Sequence, residues 1–110
     1  MISEHSQLIA AGIDELAAQN PFREGRVTPD KLLDGPGFKL RHLAFDAGVV
    51  MKEHSAPVPL LIQVVAGRVL LRIEDAEHIL LPGAVFYIAP KVLHEVEASD
   101  PSRLLLTLIG

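Results

Sequence analysis

The chain has no cysteine and no tryptophan, and only one tyrosine and four phenylalanines in 110 residues. The missing thiols exclude disulfides, thiolate nucleophiles, iron–sulfur clusters and cysteine-ligated zinc, and they fit a reducing cytoplasm. With 5% aromatic against 49% apolar residues, the core has to be aliphatic. No apolar run approaches the roughly 20 residues of a membrane span; Leu104–Leu106 is typical of the runs present. The N-terminus, Met1-Ile2-Ser3-Glu4-His5, has no basic stretch ahead of an apolar one, so no signal peptide is expected. Fourteen acidic against ten basic residues give a net charge of −4 with no basic run. Neither nucleic acid nor a membrane surface is therefore an expected partner. Chemical signatures are also missing. Gly35-Pro36-Gly37 is too short and proline-rich to cradle a phosphate, no nucleophile-elbow serine is present, and His94-Glu95-Val96-Glu97 lacks a second histidine. A single cytoplasmic domain without an organic cofactor is the expectation.

What is present divides into three stretches. Within residues 1–20, Leu8, Ile9, Gly12, Ile13 and Leu16 recur near the helical period. Ser3 is placed to cap this helix and Asn20-Pro21 to end it. It carries no chemistry and reads as a packing helix. Residues 21–37 form a connecting segment rich in proline and glycine, with one short strand expected near Lys31–Leu33. From Phe38 to Ile109, eight short apolar runs recur every eight to twelve residues, separated by turns such as Asp46-Ala47-Gly48, Ala66-Gly67 and Pro82-Gly83. This spacing leaves no room for helical crossovers, so it predicts an all-β antiparallel sandwich or barrel. Leu60-Leu61-Ile62 and Leu104-Leu105-Leu106 do not alternate as half-solvated strands should. Both sheet faces are then covered, and a homodimer is expected.

Two histidines stand out within these strands. His54 closes a segment that begins at Gly48, and His94 closes one that begins at Gly83. Two such segments about 40 residues apart can bring both imidazoles together inside a barrel, which is how an all-β scaffold builds a metal site without cysteine.

At these residues the chain resembles the cupin superfamily, specifically the small single-domain, conserved-barrel, RmlC-like cupins, over about Phe38 to Ile109. Gly48, His54 and Gly67 match the first family motif, and Gly83 and His94 match the second. Ala56 stands where the family has a second histidine, Leu60 where it has a glutamate, Ala89 at the proline position and Lys91 at a glycine position. The resemblance implies a jelly-roll barrel whose pocket holds a divalent metal (iron, manganese, nickel or zinc) and a small organic ligand. His54 and His94 are the metal ligands that remain.

Gln63, His42, Glu53 and His78 are weighed as a third ligand. If Leu60 points inward, period two turns Gln63 outward. His42 shares a strand face with Phe38 and Leu40, Glu53 should point away from its neighbour His54, and His78 is expected at a surface. The pocket candidates are His42, Gln63, Ala56, Leu60 and Tyr87. Three functions stay open: a metal-dependent small-molecule enzyme, a metal-free binding module in which the histidines serve as hydrogen-bonding or acid–base groups, and an interaction protein with a vestigial site.

Overall fold

The computed structural model describes residues 5–110. Ser3, the expected helix cap, lies outside the described residues. The helix is shorter than its periodicity suggested: α1 spans Ile13–Gln19, and residues 8–12 are irregular. Leu8 and Ile13 are exposed, and Leu16 is the one buried residue of the helix. A seven-residue helix has little stability of its own and depends on what it packs against. Here a single leucine and the chain that follows at Asn20 hold it.

Nine strands follow: β1 Val27–Gly35, β2 Phe38–Phe45, β3 Val50–His54, β4 Leu60–Ala66, β5 Val69–Ile73, β6 Ala76–Leu80, β7 Val85–Ile88, β8 His94–Ala98 and β9 Ser102–Ile109. They form a five-stranded sheet in the order β1-β2-β9-β4-β7 and a four-stranded sheet in the order β3-β8-β5-β6. All pairings are antiparallel, giving a jelly-roll barrel. The expected short strand near Lys31–Leu33 is instead the nine-residue β1. It tolerates Pro29 because it is an edge strand, where one side of the backbone needs no ladder partner.

The barrel is filled from both sheets by period-two positions. Leu60, Ile62 and Val64 from β4, Val69, Leu71 and Ile73 from β5, Leu43 and Phe45 from β2, and Val96 and Ala98 from β8 form one buried cluster. Each fully buried aliphatic side chain contributes about 1.5–3 kcal/mol. At Gly67 the backbone has φ 86°, and a Cβ there would collide with Ser102 Oγ and the Pro101 carbonyl. The turn before β5 therefore needs glycine for both conformation and space.

Candidate functional site

His94 opens β8 and shares the inward face with Val96 and Ala98, which are buried with it. Its outward neighbours Glu95 and Glu97 instead bind Arg72 at 2.7 and 2.6 Å on the outside of the four-stranded sheet. His54 ends β3 directly opposite His94. Strand parity alone would separate His54 from Met51, three residues earlier. A register shift between them lets Met51 oppose Val96 and His54 oppose His94. This bulge delivers the second imidazole to the same face.

The two ring centroids are 4.4 Å apart with planes tilted by 56°. Each Nδ1 lies beside a backbone carbonyl, His54 at 2.8 Å from Lys52 O and His94 at 3.1 Å from Val92 O. A carbonyl only accepts, so both Nδ1 atoms carry a proton, and in a neutral ring the lone pair then sits on Nε2. His94 Nε2 is buried and has no hydrogen-bond partner. Burial holds the His94 pKa below the usual histidine value and the His54 charge adds to this, against an opposing hydrogen bond to Val92. His94 is therefore the neutral, accepting form at neutral pH.

The loops on either side are clasped by Lys91 N–H donating to Ala56 O at 2.8 Å. Lys91 adopts φ 66°, a left-handed conformation that glycine takes without strain, at the position where the resemblance has glycine. Ala56 is half-buried in its loop, and Leu60 is a core residue. The position where the family has a glutamate thus points into the barrel but offers only a hydrocarbon.

The remaining candidates are not brought together with the pair. Gln63 is exposed between inward Ile62 and Val64. Tyr87 is 57% exposed, between inward-packing Phe86 and Ile88. Glu53 is exposed. His42 is fully buried but lies on the opposite face of β2 from Leu43 and Phe45, outside the barrel, which corrects its assignment to the pocket. His78, expected at a surface, is half-buried. It opposes inward Leu71 and its ring packs on Phe86 at 4.8 Å. The signal was present in the sequence, since buried Leu80 lies two residues further along the same strand.

Among the described residues, no group of three or more His, Cys, Asp or Glu side chains is placed to hold a metal. Two imidazoles fall one short of the three protein ligands of an open catalytic zinc site. The set is incomplete for such a site. A separate groove of about 410 Å³ lies on the outer face of the four-stranded sheet, beside Leu70, Ile79 and Glu97. None of the unpartnered buried side-chain atoms belongs to a residue lining it.

The family model for the AraC-like ligand-binding domain matches residues 35–110. The chain belongs to that family. Solved structures named as cupins share its fold. A cupin superfamily protein from Desulfitobacterium hafniense is 18% identical with TM-score 0.79, covering 86% of each chain. An RmlC-like cupin from Desulfovibrio desulfuricans is 23% identical with TM-score 0.75, covering 99% of this chain and 97% of its own. An RmlC-like cupin from Shewanella frigidimarina is 19% identical with TM-score 0.76, covering 97% and 91%. At these identities the shared property is the fold. No curated protein matches the sequence. Among the described residues of the domain, no helix is long and apolar enough to cross a membrane.

Proposed function

We propose that this AraC-like domain binds a small organic molecule inside its barrel, with His94 and His54 accepting hydrogen bonds from it. The observation that carries this reading is His94 Nε2, a buried lone pair without a partner on a ring whose other nitrogen is committed to Val92. Leaving such an acceptor unsatisfied costs about 1–3 kcal/mol, which a ligand O–H or N–H would recover. Met51, Leu60, Ile62 and Phe86 supply apolar surroundings on the two sheets. These suit a ligand with a hydrocarbon body and few polar groups better than a phosphate or a dicarboxylate.

The test is a thermal-melting screen of small phenols and alcohols on the parent and on a His54→Ala/His94→Ala variant. A ligand at 100 times its Kd stabilises the folded state by about 2.7 kcal/mol. The expected result is a shift in the parent that disappears in the variant; equal shifts in both proteins would remove the reading. The neighbouring Nε2 lone pairs also favour a second reading, a divalent ion completed by water or ligand, which would supply Lewis-acid or redox chemistry. Elemental analysis of the same two proteins separates the readings. Near-stoichiometric iron, manganese, nickel or zinc that is lost in the variant establishes the second.

The homodimer reading is supported by the outer face of the five-stranded sheet, where Val85, Tyr87 and Ile109 are exposed beside Leu61 and Thr107. Light scattering should find a dimer, and Tyr87→Arg should yield a monomer.

A further inference from the structure

A second buried histidine lies outside the barrel, in a polar cluster unrelated to the ligand reading. His42 on β2 and Arg103 on β9 are 0% and 4% exposed on the outer face of the five-stranded sheet. The chain leaving α1 folds over them. Arg103 Nη1 donates to the Asn20 carbonyl at 2.7 Å and lies 3.5 Å from His42 Nε2. Its guanidinium also stacks 4.1 Å from the centre of the Phe22 ring. Asn20, itself buried, donates from Nδ2 to Thr28 O at 2.7 Å and to His42 O at 3.4 Å. The end of α1 is therefore held by one buried guanidinium and one buried amide.

The geometry points to a pH-sensitive latch: neutral His42 lets Arg103 hold the Asn20 end of α1 on the sheet, and a proton on His42 releases it. A guanidinium only donates, so the contact requires the lone pair on Nε2 and the proton on Nδ1. His42 Nδ1 has no hydrogen-bond partner, and neither has the nearby Thr28 Oγ1. A second proton would have to sit on Nε2, facing the Arg103 cation at this short range and out of contact with water. Among the described residues, no carboxylate forms an ion pair with Arg103 to absorb that charge.

The groups facing His42 can be taken element by element. β9 presents Arg103, β1 presents Asp30 and Thr28, and the segment after α1 presents Asn20, with Phe22 stacked on Arg103. Asp30, paired with His42 across the strands, favours the protonated form, while burial and Arg103 oppose it, and the net direction is down from the usual histidine value. The acids of α1, Asp14 and Glu15, are exposed in its first turn. Undocking returns His42 and Arg103 to water, where both cations are tolerated. The undocked state therefore takes up a proton that the docked state refuses. Below the ordinary histidine value of 6.5, the ratio of undocked to docked chains grows by up to about tenfold per pH unit.

The reporter is the Asn20 amide, which donates to Leu16 O at 3.0 Å and closes α1. Its hydrogen-exchange protection, corrected for intrinsic rates, would be followed across the acid side of neutrality in the parent and in His42→Gln. The Val64 amide, which donates to Ala84 O at 3.0 Å in the barrel, serves as the internal reference. The expected result is an Asn20 opening constant that rises on acidification in the parent, is flat in His42→Gln, and is not matched at Val64. A flat parent, or an equal slope in the variant, overturns the latch. If the variant does not fold, imidazole ¹⁵N shifts of the parent decide. Uptake of the His42 proton in step with loss of Asn20 protection supports the latch, and a charged His42 beneath a protected Asn20 overturns it.

Discussion

Two buried histidines on the two faces of this barrel were given opposite surroundings. His94, inside, has one nitrogen on a backbone carbonyl and the other buried with no partner, its ring 4.4 Å from that of His54. His42, outside, has its accepting nitrogen beside a buried guanidinium that also holds the end of α1. Burial depresses both pKa values, but the neighbours differ, since a second histidine assists at His94 and an arginine at His42. Equal burial thus separates into two roles. Each ring leaves one nitrogen without a partner, Nδ1 in His42 and Nε2 in His94, but only His42 touches the cluster that holds the end of α1.

The largest effect expected from breaking this contrast is at Arg103. Arg103→Ala removes the bond to Asn20, the stacking on Phe22 and a buried volume, and should cost about 3 kcal/mol in chemical denaturation. A cost below about 1 kcal/mol would mean that the outer cluster does not hold α1.

The pH response comes next. Both folded pKa values are depressed below 6.5. Above that value both folded and unfolded chains carry neutral imidazoles, and the contribution to stability is fully present. Below it the unfolded chain takes up protons first, so stability falls with a slope of up to about 1.4 kcal/mol per pH unit for each histidine until the folded pKa is passed. Denaturation midpoints that do not move between about pH 7.5 and about pH 5.5 would contradict this linkage.

His94→Leu should give the opposite sign to Arg103→Ala. It replaces an unsatisfied acceptor with a hydrocarbon among hydrocarbons, so stability should stay level or rise by about 1 kcal/mol while ligand-dependent melting shifts disappear. A clear loss of stability would show that His94 is a structural residue like His42. The smallest effect is at Lys91. Lys91→Gly relieves a left-handed lysine and should stabilise the fold by about 0.5–1 kcal/mol, with the Ala56 clasp kept. Destabilisation would mean that the lysine side chain has a structural contact of its own.

Much of the architecture was legible because antiparallel strands of an aliphatic barrel leave local marks. Turn glycines interrupt runs of β-branched residues and leucine, whereas Leu60-Leu61-Ile62 lacks alternation in residue type although its burial does alternate, with Leu60, Ile62 and Val64 buried, Leu61 half-buried and Gln63 exposed. The pairing of His54 with His94 was also legible, through the spacing from their glycines. Less was visible where two faces of one strand had to be told apart. His42, Leu43, Ala44 and Phe45 are all buried, so no alternation marks which of them line the barrel. α1 was overestimated because periodic leucines describe a helix only if something is there to cover them, and Leu8 and Ile13 meet solvent.

Composition and spacing determined that this chain is an antiparallel aliphatic sandwich or barrel without thiol chemistry, and the resemblance carried by the turn glycines, His54 and His94 narrowed this to a barrel with a histidine pair. These properties follow from local volume, turn geometry and the two-residue repeat of a strand, which are written residue by residue. Only the tertiary structure decided that the Leu60 position faces the barrel as hydrocarbon, that a bulge in β3 turns His54 toward His94, and that Arg103 reaches back 83 residues to Asn20. Those outcomes depend on register and on which distant segments close over each face, and no short stretch of sequence contains both sides of such a contact.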